Sequence, residues 1–238
     1  MSMINLVKKT EIVLQKRGIT PVPSQVALAV DISGSMRDEY QAGIVQAVVE
    51  RCLAVAMKFD SDQLLDVWVF DDGHGYVGQA TMNSIDGFVA REIVANGTLK
   101  KWGGTAYAPV LQSIQAHYYG TEGKKASKLG RLFGAKDKAG EVARQAVGEQ
   151  PLMILLITDG ENMDREAFEA TLQALRSRRA YVQFVGIGNS DLSYLEAVAE
   201  AEPNAGFVQL RQLRGIEDET LLGALISPEF SKWIGKQG

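Results

Sequence analysis

The sequence is poor in the residues from which cysteine-based and histidine-based sites are built. It contains one cysteine, Cys52, and two histidines, His74 and His117, in 238 residues. A single cysteine forms no disulfide within the chain and supplies no cysteine-rich zinc site. Neither histidine has an evident serine or cysteine partner, so the sequence gives no support for a nucleophilic triad. A G-x-x-x-x-G-K-[ST] loop is also missing, which argues against nucleotide hydrolysis by a P-loop.

Long hydrophobic runs and an excess of positive charge are absent as well. No apolar stretch approaches the roughly 20 residues that span a bilayer, and the amino end lacks the apolar core and cleavage site of a secretion signal. The chain has 25 basic and 29 acidic residues, a net charge of −4, whereas a nucleic-acid-binding protein is expected to be basic. We therefore expect a cytoplasmic protein with no membrane span and no nucleic acid partner.

The composition that remains favours a single globular domain over residues 1–238, because 46% of the residues are apolar and 23% are charged. Apolar runs predict strands at residues 26–30, 64–70, 151–158, 181–187 and 206–210. Helical periodicity predicts helices at residues 3–17, 39–59, 85–95, 105–118, 164–178, 191–200, 217–225 and 228–233. This alternation predicts a doubly wound α/β fold, with a mainly parallel sheet and helices on both faces. Residues 76–80 are predicted to pair with the second strand as an edge hairpin.

Two segments stand apart from this pattern. Residues 1–20 are predicted to contain an amphipathic helix whose basic face is solvated, the alternative being contact with a membrane surface or a partner. Residues 120–149 have no sustained apolar period, and six basic and two acidic residues fall between residues 122 and 138. We expect this insertion to be a flexible solvated loop. The alternative is a binding element for acidic lipids or nucleic acid, against which the acidic balance of the remaining chain argues.

Oxygen-bearing side chains follow the predicted strands where these strands end. The motif DISGS (residues 31–35) follows the first strand, TDG (158–160) ends another, and GGT (103–105) precedes a helix. Ligands of open parallel sheets bind beyond the carboxyl ends of the strands. Carboxylates and hydroxyls without histidine or cysteine favour Mg²⁺, Mn²⁺ or Ca²⁺ over zinc or copper. The candidate metal ligands are Asp31, Ser33, Ser35, Thr105 and Asp159.

In their order along the chain, DISGS, GGT and TDG resemble the metal-ion-dependent adhesion site (MIDAS) of the von Willebrand factor A (vWA) domain, whose first motif is D-x-S-x-S. The resemblance covers residues 25–223 and implies a six-stranded sheet with one short antiparallel edge strand. It implies direct coordination of the metal by Ser33, Ser35 and Thr105, and mostly water-mediated contacts from Asp31 and Asp159. It further implies a protein partner that donates an Asp or Glu carboxylate to the metal.

A narrower resemblance concerns the bacterial tellurium-resistance group of A-type domains, the TerF-like group. The stretches INLVKKTEIVLQKRG, VVERCLAVAMKFDSDQLLDVWVFDDG and KWGGTAYAPVLQSI are similar to it. This resemblance implies a role in a tellurite-resistance or more general stress-response system.

Two alternatives to a metal-dependent binding site remain. The D-x-S-x-S motif by itself is also typical of a strand-end turn in which Asp and Ser cap the next helix. Acidic residues around Mg²⁺ also serve phosphoryl hydrolases, but no convincing base or nucleophile accompanies the predicted metal. The D-x-S-x-S motif also differs from the D-x-D-x-[TV] motif of haloacid-dehalogenase phosphatases. We therefore expect a binding module rather than an enzyme.

The local sequence predicts structural roles for four further residues. Asp71 and Asp72 follow the second strand and are expected to be turn residues rather than metal ligands. Cys52 falls in an apolar helical segment and is expected to lie in the core. Trp102, beside the GGT motif, is either a contact anchor for a partner or a packing residue beneath the loop.

Overall fold

The structure, a computed structural model, describes residues 2–120 and 150–237. In these residues one sheet is formed by β1 (Gln25–Asp31), β2 (Leu65–Phe70), β3 (His74–Ala80), β4 (Leu152–Thr158), β5 (Ala180–Ile187) and β6 (Ala205–Leu210). The strand order is β3-β2-β1-β4-β5-β6, and β3 alone runs antiparallel to its neighbour. The predicted mainly parallel sheet with an antiparallel edge strand is thus confirmed. Residues 121–149 of the predicted basic insertion lie outside the described residues.

The described helices are α1 (Met3–Lys16), α2 (Arg37–Gln41), α3 (Ile44–Phe59), α4 (Ala108–Tyr119), α5 (Arg165–Arg176), α6 (Ser193–Ala201), α7 (Asp218–Leu225) and α8 (Pro228–Ile234). A 3₁₀ turn covers Gly34–Met36 and a π-helical turn covers Val89–Val94. In the part of the chain that is described, no helix combines the length and the apolar character needed to cross a membrane.

Three predicted helices differ from the structure. The one expected at residues 39–59 is broken at Gly43, whose φ of 72° lies in the left-handed region and separates α2 from α3. The one expected at 85–95 is reduced to the π-helical turn. The one expected from residue 105 begins only at Ala108. There the carboxylate of Asp164 accepts hydrogen bonds from the backbone N–H groups of Tyr107 (3.1 Å) and Ala108 (2.8 Å), so it caps the helix start from a distant loop.

The central strands are buried on both faces, as in other parallel sheets covered by helices. Alternate residues of β1 face opposite sides: Leu28 and Val30 join the apolar cluster that contains α3, while Ala27 and Ala29 join the cluster that contains α4 and α5. The two alanines are small. This face of β1 therefore accommodates a bulky aromatic side chain, Tyr107, which is fully buried in the same cluster.

Helix α1 is attached to α3 and α7 by charged side chains. The buried carboxylate of Asp218, at the start of α7, accepts a hydrogen bond from Lys9 Nζ (2.5 Å). It also pairs with the Arg51 guanidinium, whose Nε lies 3.1 Å from Asp218 Oδ1. Arg17 extends the contact by donating from Nη2 to the carbonyl oxygen of Gly223 (2.8 Å). The first described helix is therefore joined to a helix close to the end of the chain.

Candidate metal centre

The DISGS and TDG motifs meet at one edge of the sheet. Strands β1 and β4 are parallel neighbours, with Val30 paired to Ile157, so the residues that follow them emerge side by side. Ser35 Oγ donates a hydrogen bond to Asp159 Oδ1 (2.8 Å), and Ser33 Oγ lies 3.1 Å from Ser35 Oγ. Side chains that are far apart in the sequence thus share one cluster of oxygens. Ser35 is exposed, so the cluster opens to solvent.

The spacing of these oxygens suits a small divalent cation. Octahedral Mg²⁺ holds its oxygen ligands at about 2.1 Å, so neighbouring ligands are about 3.0 Å apart. The two distances that Ser35 Oγ makes, 3.1 Å to Ser33 and 2.8 Å to Asp159, match that separation. These distances are also those of ordinary hydrogen bonds, so the spacing is compatible with a cation at this edge of the sheet.

The loop that carries the GGT motif is fastened to the DISGS loop by backbone hydrogen bonds. Trp102 N–H donates to the carbonyl oxygen of Ile32 (2.9 Å), and Gly34 N–H donates to that of Gly103 (3.2 Å). The buried carboxylate of Asp71 adds a third attachment, because its Oδ2 accepts from Gly103 N–H (3.0 Å). Asp71 therefore positions the loop and is no candidate ligand itself. Sequence reasoning identified it as a turn residue but missed this second contact.

Thr105 lies in this loop with a hydroxyl that makes no hydrogen bond to the described residues. Its side chain is buried, and its carbonyl oxygen accepts from Met163 N–H (2.9 Å), which ties the loop to the segment after β4. A Cβ atom placed on Gly160 would lie 3.6 Å from Thr105 Oγ1. The hydroxyl therefore faces the TDG motif, and the structure brings Thr105 to the same edge as the other candidate ligands.

Asp31 lies behind the exposed serine and is fully buried. Its Oδ1 accepts from Ser33 N–H (2.7 Å) and its Oδ2 accepts from Thr158 Oγ1 (2.6 Å). Burial raises the pKa of Asp31 to about 6, and the hydrogen bonds from Ser33 and Thr158 oppose the rise. Burial also raises the pKa of Asp159 above its ordinary value. Two carboxyls whose charged forms are poorly solvated make this edge a favourable place for a cation.

Sequence reasoning also missed the residues that hold Asp31 in place. Besides its bond to Asp31, Thr158 Oγ1 lies 3.1 Å from the carbonyl oxygen of Gly160 and 3.4 Å from the hydroxyl oxygen of buried Tyr107. The Tyr107 hydroxyl in turn donates to the carbonyl oxygen of Gly160. The signal for Thr158 was present, because it precedes Asp159 in the TDG motif. Nothing local in the sequence indicated Tyr107.

The remaining predictions concern the ligand set and the core. Among the described residues, no group of three or more His, Cys, Asp and Glu side chains is arranged to hold a metal. A metal at this edge would therefore depend on hydroxyl oxygens together with the two carboxylates. Asp72 is an exposed loop residue that pairs with Lys100 (2.8 Å), and Cys52 is fully buried in α3, as expected.

Comparison with known proteins gives matches over nearly the whole chain. The family profile that matches residues 23–237 is vWA-TerF-like, described as "vWA found in TerF C terminus". The chain is 33% identical over 239 residues to the uncharacterized protein YcbR of Bacillus subtilis (strain 168), which covers 98% of this chain and 87% of that protein.

Solved structures share the fold at low sequence identity. Proximal thread matrix protein 1 from the mussel byssus matches with a TM-score of 0.56 and 16% identity, over 87% of this chain and 48% of that one. A structure of the same protein with a zinc-occupied MIDAS motif matches with a TM-score of 0.53 and 17% identity, over 85% and 45%. Manganese-loaded TRAP protein of Plasmodium vivax matches with a TM-score of 0.52 and 14% identity, over 87% and 73%. The chain thus spans about half the length of the mussel protein.

Proposed function

Since the chain belongs to the TerF-like family of von Willebrand factor A domains, we propose that it is a metal-ion-dependent protein-binding module. In this proposal Ser33, Ser35 and Thr105 bind the cation directly, and Asp31 and Asp159 bind it mostly through water. The cation, Mg²⁺ or alternatively Mn²⁺ or Ca²⁺, supplies a Lewis-acidic position that a partner's Asp or Glu carboxylate completes.

The contact between the two serines and Asp159 carries this proposal. The oxygens of the two serines, both proposed as direct ligands, lie 3.1 Å apart, which is the spacing of neighbouring ligands. Asp159 Oδ1 accepts a hydrogen bond from Ser35 Oγ (2.8 Å), and Ser35 is open to solvent. Because three of the five proposed ligands are neutral hydroxyls, the bound cation would keep much of its positive charge. That charge favours one further anionic oxygen from outside the chain.

Binding is favoured over hydrolysis by the surroundings of the candidate nucleophiles. In the described part of the chain, neither Ser33 nor Ser35 makes a hydrogen bond to a histidine or lysine that would activate its hydroxyl. Asp31, the other candidate nucleophile, is fully buried, and both its oxygens accept hydrogen bonds. The site is therefore better suited to hold a ligand than to attack one.

The cellular setting of the proposal follows from the family. The matching profile is described from TerF, and the 33% identical relative comes from Bacillus subtilis. We accordingly propose that the binding serves a bacterial tellurite-resistance or general stress response in the cytoplasm.

Direct metal titration tests the first part of this function. Mn²⁺ binding, followed by the loss of the free-ion electron paramagnetic resonance signal, should be saturable in the wild type and strongly weakened in Thr105→Ala. Thr98→Ala removes an exposed hydroxyl elsewhere and should bind Mn²⁺ like the wild type. Equal Mn²⁺ binding by wild type and Thr105→Ala would contradict the assigned ligands.

Affinity capture tests the second part. Immobilised wild-type protein should retain a partner in Mg²⁺ and release it in EDTA, and Thr105→Ala should retain none in either buffer. Retention that survives chelation would count against a metal-bridged contact. The enzyme alternative is checked with p-nitrophenyl phosphate and Mg²⁺, where turnover that is lost in Asp31→Asn would favour a hydrolase.

A further inference from the structure

A groove of about 350 Å³ lies next to the candidate metal centre, lined by Arg37, Tyr40, Gln41, Val94 and Trp102. Two of the segments that form the centre also line this groove. Arg37 follows the second serine of the DISGS motif by two residues, and the Trp102 backbone is hydrogen-bonded to the same motif. A volume of this size lies at the small end of ligand sites and suits one or two side chains rather than a large cofactor.

Trp102 occupies an unfavourable backbone conformation in this groove. Its φ of 72° lies in the left-handed region, where a bulky L-residue costs about 1–2 kcal/mol and glycine costs almost nothing. The indole packs edge-on against Tyr40, with ring centroids 5.7 Å apart. Such local strain is typical of positions where a particular side chain is needed for function.

Arg37 brings an exposed positive charge to the same groove. Its guanidinium carbon lies 5.1 Å from the centroid of the Trp102 ring, a cation–π contact that fixes its position. Within residues 2–120 and 150–237, no carboxylate pairs with it. Val94, 45% exposed, adds an apolar surface. The groove thus combines a free, oriented cation with apolar walls.

We propose that this groove receives an acidic segment of the protein partner. One carboxylate of that segment binds at the metal centre, a large apolar side chain packs against Trp102 and Val94, and a second acidic group pairs with Arg37. The inference rests on the proposed metal-dependent function and specifies the chemistry of its partner. Charge complementarity selects this occupant, because the metal and Arg37 together repel a basic segment and attract an acidic one.

Selection from a random peptide library displayed on phage tests the proposal. The library is bound to wild-type protein in Mg²⁺ and eluted with EDTA. We expect the eluted sequences to be enriched in a large apolar residue flanked by two acidic ones. Enrichment of basic sequences, of single acidic residues without an apolar neighbour, or of no sequence at all would overturn the proposal.

Variants then assign the selected peptide to the groove by fluorescence anisotropy. Arg37→Gln should weaken binding about fivefold, the upper range for an exposed ion pair. Trp102→Gly, which keeps the backbone conformation accessible, should weaken it about thirtyfold, as expected for an aromatic anchor. Val94→Asp should weaken it as well, through repulsion at an exposed position. The control Arg211→Gln, beyond β6 at the far edge of the sheet, should have no effect.

Mn²⁺ titration of the same variants separates this inference from the proposed function. All of them should bind Mn²⁺ like the wild type, because none removes a candidate ligand and Trp102→Gly keeps the backbone N–H that is bonded to Ile32. Peptide binding that needs Mg²⁺ but is unchanged in the three groove variants would overturn the groove and leave the metal-dependent function standing. Absence of Mn²⁺ binding in the wild type would instead refute that function. Mg²⁺-dependent self-association that Arg37→Gln abolishes would assign the groove to a second copy and overturn the proposal.

Discussion

Replacing Asp31 by asparagine should stabilise the metal-free protein at neutral pH, although it removes a candidate metal ligand. Asp31 is fully buried, and burial raises its pKa from the ordinary value of 3.8 to about 6. Between these two values the folded protein holds a proton that the unfolded chain has released. The free energy of unfolding therefore falls as the pH rises through this window and is level above it.

The size of this effect follows from the pKa difference. A shift of about 2 pH units corresponds to about 3 kcal/mol at pH 7.5, since each unit is worth about 1.4 kcal/mol. Asparagine carries no charge, and its carbonyl oxygen can still accept from Ser33 N–H. Thr158 can turn its hydroxyl to the carbonyl oxygen of Gly160, 3.1 Å away. Allowing for imperfect replacement, we expect a net gain of about 2 kcal/mol, or about 6 °C in melting temperature.

Thermal unfolding in EDTA measures this gain. Asp31→Asn should melt above the wild type at pH 7.5, and the difference should shrink as the pH is lowered toward 4, where the folded wild type is protonated. Asp72→Asn is the matched control, because that exposed carboxylate pairs with Lys100 and has a lowered pKa. It should give no gain. A metal-free Asp31→Asn protein that melts at or below the wild type at pH 7.5 would refute the reasoning.

The remaining predictions concern the loops and the attachment of α1. Gly103→Ala should weaken Mn²⁺ binding, measured by titration, because the added Cβ would lie 2.8 Å from Asp71 Oδ2. Gly104→Ala should bind Mn²⁺ like the wild type, because a Cβ at residue 104 would contact only the flexible side chain of Met163. Asp218→Asn should lower the free energy of urea unfolding by about 2 kcal/mol, since it removes the charge of a buried carboxylate that Lys9 and Arg51 share. Glu219→Gln, in an exposed pair, should cost less than about 1 kcal/mol, and equal losses would contradict the distinction. Thr158→Val should lower the free energy of urea unfolding by about 2 kcal/mol, because it removes a buried hydrogen-bonding hydroxyl. Thr158→Ser, which keeps the hydroxyl, should retain most of that free energy.

Local patterns predicted the parts of the fold and site that depend on neighbouring residues. Uninterrupted apolar runs identified the buried strands, and strand-end motifs identified which oxygens meet. The helix predicted at residues 39–59 is interrupted at Gly43, because this residue adopts a left-handed conformation that the spacing of apolar residues does not predict. Contacts between distant segments were not predictable. The capping of α4 by Asp164 and the attachment of the GGT loop by Asp71 depend on how loops lie after the sheet has formed.

The attachment of α1 affects how this protein should be divided for study. The matching family profile starts at residue 23, after α1 has ended. A fragment cut at that boundary would expose the apolar surface that Leu6 and Leu14 cover, and it would remove Lys9 from Asp218. Such a fragment should be prone to aggregation and partial unfolding. Biophysical work on the isolated domain should therefore retain residues 2–22.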